Sequence, residues 1–186
     1  MFTKKIIAKS VVGVALISIG AMASAATIVP GGTVHFKGQI VNAACAVSAD
    51  STDQTVEMGQ YRTAFFTAVG VRSNAVPFQI KLEDCDTTVS TTASTSFSGN
   101  ASQHDNTVLS VSNIGGGTAG AASGVGIEIS DHLGVVMKPD GSVFSTEQKL
   151  NDGANVLHFT ARYKSTSANV TPGAADADAT FTMQYN

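Results

Sequence analysis

The sequence has no tryptophan, only two cysteines and four prolines, and its charged side chains make up just 13% of the residues. Because no basic cluster follows Lys9, the grouped Lys and Arg that nucleic-acid binding requires are missing. The lack of tryptophan and the cysteine spacing exclude an antibody domain, whose core places a Trp beside the disulfide. No apolar stripe at helical spacing occurs, which argues against a helical fold.

One continuous apolar segment lies near the N-terminus. A head with three lysines is followed by the apolar run 11–19 and by small residues over 21–25. A basic region, a short apolar core and an A-x-A site are the parts of a secretory signal peptide. The run is too short to remain as a membrane anchor. We therefore expect a signal peptide over residues 1–23, with cleavage after Ala23 or after Ala25.

Export affects both the charge and the cysteines. Removing the three lysines of the signal leaves eight basic and fourteen acidic side chains, a net charge of −6. Cys45 and Cys85 then reach an oxidising compartment, where a structural disulfide is the expected state. Closing a loop of 40 residues stabilises a fold by roughly 4 kcal/mol in the chain-entropy model. A metal or redox pair normally needs C-x-x-C spacing or nearby histidines, and neither is present.

Four segments alternate apolar and polar residues, as β-strands with one buried face do. Their apolar positions are Phe78, Ile80 and Leu82; Val125, Ile127 and Ile129; Leu157, Phe159, Ala161 and Tyr163; and Phe181, Met183 and Tyr185. Turn residues at 140–141 and 151–153, together with a loop of small residues over 114–124, separate these segments. The sequence predicts an all-β sandwich of immunoglobulin-like type.

Both ends of the exported chain carry a further alternating pattern. Positions 28, 30, 32, 34 and 36 hold Ile, Pro, Gly, Val and Phe. By itself this pattern fits an ordinary edge strand, because proline cannot donate to a β-ladder. At the other end, apolar and polar residues alternate over 180–185. The partner strand of this last segment is the open question.

Several motifs occur in the order found in one known family. They are the run 32–45 (GTVHFKGQIVNAAC), the triplet 84–86 (DCD) and the segment 180–185 (TFTMQY). With these motifs the chain resembles, over essentially its whole length, the major subunit of type 1 fimbriae. Gly173 matches a glycine that such pilins place ahead of their last strand. The resemblance implies a pilin assembled by the chaperone–usher pathway of Gram-negative bacteria.

The family implies an incomplete immunoglobulin-like β-sandwich that is completed by a donor strand from a neighbouring subunit. A periplasmic chaperone fills the open groove first, and the N-terminal extension of the next subunit then replaces it. The implied donor-strand positions are Ile28, Gly32, Val34 and Phe36. The implied acceptor-groove and chaperone-contact positions are Gly173, Phe181, Met183 and Tyr185.

The resemblance also implies how the chain is divided and where it acts. We expect a donor-strand extension over residues 24–37 and a pilin domain over 38–186. The implied partners are other copies of the chain in a head-to-tail polymer, a periplasmic chaperone, an outer-membrane usher and other fimbrial subunits. The chain would cross the periplasm to the cell surface and support host-cell adhesion through the assembled fimbria.

No catalytic or cofactor-binding motif is present in the sequence. The four histidines, at positions 35, 104, 132 and 158, lack suitably spaced metal-ligand partners, and no G-x-S-x-G motif occurs. The glycine-rich stretch 115–120 matches G-x-G-x-x-G, but no helix is expected after it, so phosphate binding is not indicated. We expect a structural protein that is not an enzyme and has no cofactor or metal.

Two alternatives stay open. A minor or adaptor fimbrial subunit would also need both a donor and an acceptor end. A secreted carbohydrate-binding sandwich would need exposed aromatic rings, and the only cluster of rings outside the expected strands is Tyr61, Phe65 and Phe66.

Overall fold

A computed structural model describes residues 28–116, 118 and 120–186, which fall into two units. The N-terminal unit ends at Gln39; its described residues, 28–39, contain no helix or strand, and all their side chains are exposed. The expected signal peptide and both expected cleavage sites lie outside the described residues. No helix in the described part of the chain has the length and hydropathy of a membrane span.

The second unit, residues 40–186, contains all of the described strands and helices. The strands are β1 Ala46–Val47, β2 Val76–Cys85, β3 Thr92–Gly99, β4 Leu109–Ser110, β5 Val125–Asp131, β6 Val136–Met137, β7 Asp140–Phe144, β8 Gln148–Lys149, β9 Gly153–Ser165 and β10 Ala179–Tyr185. A single helical turn, α1 Ala49–Thr52, and a short 3-10 helix, Thr63–Phe65, lie between β1 and β2.

The strands form two sheets in which every pairing is antiparallel. The first sheet has the order β1-β2-β9-β5-β4, with β6 also beside β5. The second has the order β10-β3-β7, with β8 also beside β3. β9 lies at the centre of the first sheet. Its apolar residues occupy every second position, so they form one continuous face towards the core.

The core lies between the two sheets. Phe159 of β9 contacts Phe97 of β3 with ring centroids 5.2 Å apart, and Phe78 of β2 stacks on Phe159 at 5.5 Å. Ile80 and Leu157 are fully or almost fully buried beside them. Each such side chain stabilises the fold by about 1.5–3 kcal/mol. The two sheets therefore pack face to face as a β-sandwich.

The expected disulfide is confirmed. Cys45 precedes β1, Cys85 ends β2, and the two sulfur atoms are bonded. The backbone beside the disulfide is also tied together, since Asp86 N–H donates to the Ala44 carbonyl at 2.9 Å. The disulfide thus fixes the start of β1 against the end of β2 at one edge of the first sheet.

The strands expected from alternation correspond to β2, β5, β9 and β10, and the described residues of the stretch 114–124 contain isolated β-bridges but no strand. One expectation was wrong. The alternation in β5 predicted one face in water, but all seven of its residues are buried. The chain before β4 covers the outer face, because a Cβ on Gly126 would collide with Val108. Glu128 on this face is held by cations that the sequence does not bring together.

Candidate functional site

The free edge of β10 is the main irregularity of the sandwich. Along one side it pairs with β3, and no strand of residues 28–116, 118 and 120–186 lies along the other. Asn186 and Thr92 exchange both backbone hydrogen bonds, at 3.1 and 3.0 Å. Because such pairs alternate along an antiparallel ladder, the N–H and C=O groups of Phe181, Met183 and Tyr185 point to the free edge.

The same free edge continues upstream of β10. Asp176 exchanges two backbone hydrogen bonds with Ser112, at 3.0 and 2.8 Å. Asp176 therefore belongs to the row that is already paired, and the backbones of Ala177 and Ala179 belong to the free row. Ala175 and Ala177 pack against the core, as Phe181, Met183 and Tyr185 do, whereas Ala179 is exposed. We call the odd-numbered positions from 177 to 185 the acceptor row.

A second unpaired segment lies at the matching edge of the first sheet. Residues 54–61 follow β1 and α1, and within the described chain they form no backbone–backbone hydrogen bond. The Gln54 side chain holds this segment to β2 by donating to the Gln79 carbonyl at 3.2 Å. Met58 and Tyr61 pack against the core. We call the space between this segment and the acceptor row the acceptor groove.

Two tyrosines bridge the ends of the acceptor groove. The Tyr185 hydroxyl donates to the Cys45 carbonyl at 3.3 Å, which links β10 to the first sheet beside the disulfide. At the other end, the Tyr163 hydroxyl donates to the Ala175 carbonyl at 3.0 Å. Burial raises the pKa of both phenols, and the charge of Asp176 adds to the effect at Tyr163. Both hydroxyls therefore stay protonated and act as donors at neutral pH.

The floor of the groove is apolar and incompletely covered. Phe181 lies 6.5 Å from Phe97 between ring centroids, and the buried Thr95 hydroxyl donates to Met183 Sδ at 3.2 Å. Although Phe181, Met183 and Tyr185 point into the sandwich, all three are only half-buried. An unpaired edge backed by apolar surface promotes association with another strand.

The N-terminal extension has the opposite property, since its apolar side chains have no cover. Ile28 is 93% exposed, Val34 75% and Phe36 91%. A soluble chain rarely leaves several large apolar side chains open to water without an interaction to bury them. These residues are three of the four expected donor positions; the fourth, Gly32, is also exposed and has a φ of +129°.

The expected acceptor positions fall in two places. Phe181, Met183 and Tyr185 lie together in the acceptor row. Gly173 lies outside this row, where a Cβ would collide with the backbone of residues 120–122. Glycine is therefore required at position 173 for the close packing of two loops. The contact of Gly173 with a chaperone stays a prediction.

Sequence reasoning missed other parts of the groove. Tyr163 and Thr95 were not recognised as groove residues, and Ala177 and Ala179 were not assigned to the acceptor row. The odd-numbered alanines could have been found by continuing the alternation of β10 upstream. No sequence signal connects Tyr163 or Thr95 to the same site, because they come from other strands.

The aromatic cluster outside the strands packs on itself. Tyr61 lies edge-on to Tyr163 at 5.7 Å between centroids, and Phe65 lies edge-on to Phe66 at 5.3 Å. Phe66 is buried, so the cluster does not present a row of free ring faces. A sugar-binding platform needs such faces to stack on the ligand. The geometry therefore disfavours the carbohydrate-binding alternative.

A cluster of charged side chains lies on the outer face of the first sheet. Arg72 donates twice to Glu128, at 2.8 and 2.9 Å, and Lys164 Nζ lies 2.7 Å from Asp105 and 3.4 Å from Glu128. Burial alone would raise the pKa of Glu128, but the Arg72 hydrogen bonds and the nearby cations outweigh it and lower this pKa. No group suited to hold a metal ion occurs within the described chain. The cluster holds the loop before β4 onto the sheet.

These features define the class of protein. It is a β-sandwich with one unpaired, half-buried edge strand and an N-terminal extension whose apolar side chains are exposed. The family model described as "Fimbrial protein" matches residues 34–186, and the chain belongs to this family. The family consists of structural fimbrial subunits, which confirms that the chain is not an enzyme.

Relatives of known type agree with this family. The chain is 50% identical to "Fimbrial subunit type 1" of Salmonella typhimurium over 97% of its own length and 98% of the relative. It is 50% identical to "Type-1 fimbrial protein, A chain" of Escherichia coli K12 over 91% of each chain. The resemblance to type 1 fimbrial subunits is therefore confirmed across nearly the whole sequence.

Solved structures confirm the fold. A subunit in the structure of a chaperone–usher pilus rod superposes with a TM-score of 0.68 at 31% identity, covering 87% of this chain and all of that one. The P pilus rod subunit PapA superposes with a TM-score of 0.64 at 30% identity, covering 77% of this chain and all of that one. The chain is a fimbrial subunit of the chaperone–usher class with an all-β, immunoglobulin-like fold.

Proposed function

We propose that this chain is the major, rod-building subunit of a type 1-like fimbria, and that it polymerises by donor-strand exchange. The observation that carries the proposal is the acceptor groove, whose two walls both have unpaired backbone above a half-open apolar floor. The extension carries exposed apolar residues at every second position except Pro30 and Gly32, as a strand inserted into that groove requires. Strand addition of this kind draws affinity from main-chain bonds and specificity from alternate side chains.

The energy available from insertion is sufficient to hold two subunits together. Burying Ile28, Val34 and Phe36 contributes about 1.5–3 kcal/mol each, or about 5–9 kcal/mol before ladder bonds and ordering costs. The donor and the acceptor are different parts of one sequence, so the contact is head-to-tail. Head-to-tail contacts that do not close on themselves propagate into a filament.

The route to the filament follows from the hazard of the open groove. A bare acceptor row would pair with any available strand, so a temporary occupant is needed until the next subunit arrives. We propose that a periplasmic chaperone is this occupant, that an outer-membrane usher exchanges it, and that signal-directed export precedes both. The finished fimbria would stand on the cell surface together with other fimbrial subunits and support adhesion to host cells.

The donor-strand assignment is tested by placing a charge on the inserted face. Val34→Asp and Phe36→Asp should each abolish filaments, because an unpaired carboxylate would enter the apolar groove. Thr33→Asp, on the opposite face, is the matched control and should leave filament yield near the wild-type level. The amount of subunit bound to its chaperone, measured in parallel, should stay unchanged. Normal filaments from both inward variants would refute the assignment.

The major role is tested on the cell surface. Electron microscopy of cells with and without the gene should show abundant rods that disappear on deletion. Rods that persist at normal density would instead identify a minor or adaptor subunit. Both roles use the same groove, so this experiment separates them without questioning donor-strand exchange.

A further inference from the structure

The methionines of the chain are unevenly placed around the acceptor groove. Two of the five, Met1 and Met22, belong to the expected signal peptide. Of the other three, Met58 lies in the unpaired segment along one wall of the groove, and Met183 lies in the acceptor row along the other. Both are half-buried and pack against the core, whereas Met137 is only 2% exposed. Two thioethers therefore border the groove, and the third lies in the closed core.

These thioethers are also the most readily oxidised side chains that the folded chain presents. Cys45 and Cys85 are the only cysteines and are joined in the disulfide, so no free thiol competes for an oxidant. Tryptophan is absent. Oxidation of a methionine to its sulfoxide turns a flexible apolar side chain into a polar one and disrupts interfaces that contain it. The two half-buried methionines are thus the expected point of oxidative attack.

We propose that Met58 and Met183 form an oxidation site that, once oxidised, prevents a donor strand from entering the acceptor groove. This inference rests on the proposed donor-strand function and adds a way in which that function is regulated. The oxidant is a peroxide. With hydrogen peroxide, an S–O bond forms as the O–O bond breaks, the sulfur loses two electrons, and the oxidant is reduced to water. Hydrogen peroxide is uncharged, so the net charge of −6 on the exported chain does not repel it.

The surroundings of Met183 determine where the new oxygen lies. The buried Thr95 hydroxyl donates to Met183 Sδ at 3.2 Å and so engages one lone pair of the sulfur. Oxidation therefore takes place at the other lone pair, and the oxygen points away from Thr95. The neighbours of Met183 on the same face of β10 are Phe181, which has no hydrogen-bond donor on its ring, and Tyr185, whose hydroxyl already donates to Cys45. An inserted strand would exclude water from this oxygen and leave it without a partner, which opposes insertion.

Strand insertion should in turn protect the same two methionines. An inserted strand covers the floor of the groove and brings Met58 and Met183 closer to the buried state of Met137. Filaments should therefore resist an oxidant that inactivates free subunits. Oxidation would act before assembly and would spare the finished fimbria.

Peptide mapping by mass spectrometry tests the site itself. Purified subunits and assembled filaments are treated with hydrogen peroxide, and the sulfoxide at each methionine is followed over time. In free subunits Met58 and Met183 should be oxidised about tenfold faster than Met137, and in filaments all three should react slowly. Equal rates at the three methionines of the free subunit would overturn the proposal. Equal rates at Met183 in subunits and filaments would overturn it as well.

The effect on assembly is tested with leucine, which is close to methionine in volume and has no oxidisable sulfur. Filament yield after peroxide, scored by electron microscopy, is divided by the yield of the same variant without peroxide, so that changes in basal assembly cancel. This ratio should fall about tenfold for the wild type and stay near one for the double variant Met58→Leu, Met183→Leu. Met137→Leu is the matched control and should fall like the wild type.

Repair of the wild-type chain gives a second measurement that needs no variant. Methionine sulfoxide reductase reverses the modification, so treating oxidised subunits with this enzyme should restore their filament yield. Oxidised wild type that assembles normally, a double variant that loses yield as the wild type does, or a yield that the reductase does not restore would each overturn the oxidation site. Untreated wild type that forms no filaments would instead reject donor-strand exchange, and this inference with it.

Discussion

β5 and β10 are both seven residues long, and both alternate apolar and polar residues, yet they lie in opposite environments. β5 has strands on both sides, and every one of its residues is buried. Among the described residues β10 has one neighbouring strand, β3, and from Thr180 onward its residues alternate between exposed and half-buried. The first strand is finished within the subunit, whereas in the proposed donor-strand exchange the second becomes a complete sheet member only through another chain. The proposal thus assigns stability and assembly to different strands of one sandwich.

The largest loss of stability is expected from a change on the buried outer face of β5. Glu128→Ala removes the carboxylate that Arg72 and Lys164 share and leaves these cations without it. Glu128 accepts two charge-assisted hydrogen bonds from Arg72, and such bonds contribute about 1.5–3 kcal/mol each, so their joint loss costs about 3–6 kcal/mol. Urea unfolding of the purified chain should show this loss.

The exposed Glu83 in β2 provides the control for that measurement, since Glu83→Ala should change the free energy of unfolding by about 0.5 kcal/mol or less. Equal losses from the two variants would mean that the buried cluster has no special role. A loss confined to Glu128→Ala would confirm that β5 is held from its outer face.

The position of Glu128 shows where sequence reasoning reached its limit. Period-two alternation located β2, β5, β9 and β10, because large apolar residues at every second position have few other structural meanings. The same alternation wrongly predicted that Glu128 is exposed to solvent. Its partners Arg72 and Lys164 lie 56 and 36 positions away in sequence, and nothing local indicates that they meet.

The second sheet shows another limit. β3, with the sequence TASTSFSG, has one large apolar residue, Phe97, and was not anticipated as a strand. Ser94, Thr95 and Ser96 are buried in it, and small polar residues carry no periodic signal. The groove could be predicted only through the family resemblance, since the absence of a neighbour beside β10 is a property of the whole fold. The sequence did carry the apolar alternation at both ends of the chain on which the proposed donor–acceptor pair depends.

The next largest effect distinguishes a residue that stabilises the subunit from one that stabilises the filament. Ile129→Ala in β5 should cost the subunit about 2–5 kcal/mol, because it opens a cavity in a closed core. Met183→Ala in β10 should cost the isolated subunit clearly less, since that side chain is only half-buried. In filaments the order should reverse: Met183→Ala should lower the temperature of dissociation in SDS more than Ile129→Ala does. A Met183 variant as unstable as the Ile129 variant in urea would contradict the comparison.

A smaller loss of subunit stability is expected when the pH is lowered. Asp105 has a pKa lowered to about 2: burial opposes ionisation, but hydrogen bonds from Lys164 and Thr107 outweigh it. An aspartate in an unfolded chain has a pKa of about 3.9. The folded value is the lower one, so the stabilisation is complete above the unfolded pKa and is lost as pH falls through about 2.

Thermal unfolding of the subunit between pH 5 and pH 2 tests this linkage. The wild-type midpoint should fall toward the acid end, and Asp105→Asn should flatten that part of the profile. β10 contains no ionisable carboxylate or amine, so an acid dependence of the subunit should persist when Met183 is replaced by alanine. A profile that Asp105→Asn leaves unchanged would place the acid sensitivity elsewhere.

The smallest effect concerns the junction between subunits. In the proposed donor strand Pro30 lies on the inward face with Ile28 and Gly32, and proline has no N–H to offer a carbonyl of the groove. Its φ of about −65° also departs from the extended backbone of an antiparallel strand. Pro30→Val should therefore add one ladder hydrogen bond, which contributes about 0.5–1.5 kcal/mol, and should raise the dissociation temperature of filaments slightly. Pro77→Val, on the exposed side of β2, is the control and should leave that temperature unchanged. An unchanged or lowered temperature for Pro30→Val would contradict the insertion of this segment as a strand, because only a residue paired within a sheet can gain this bond.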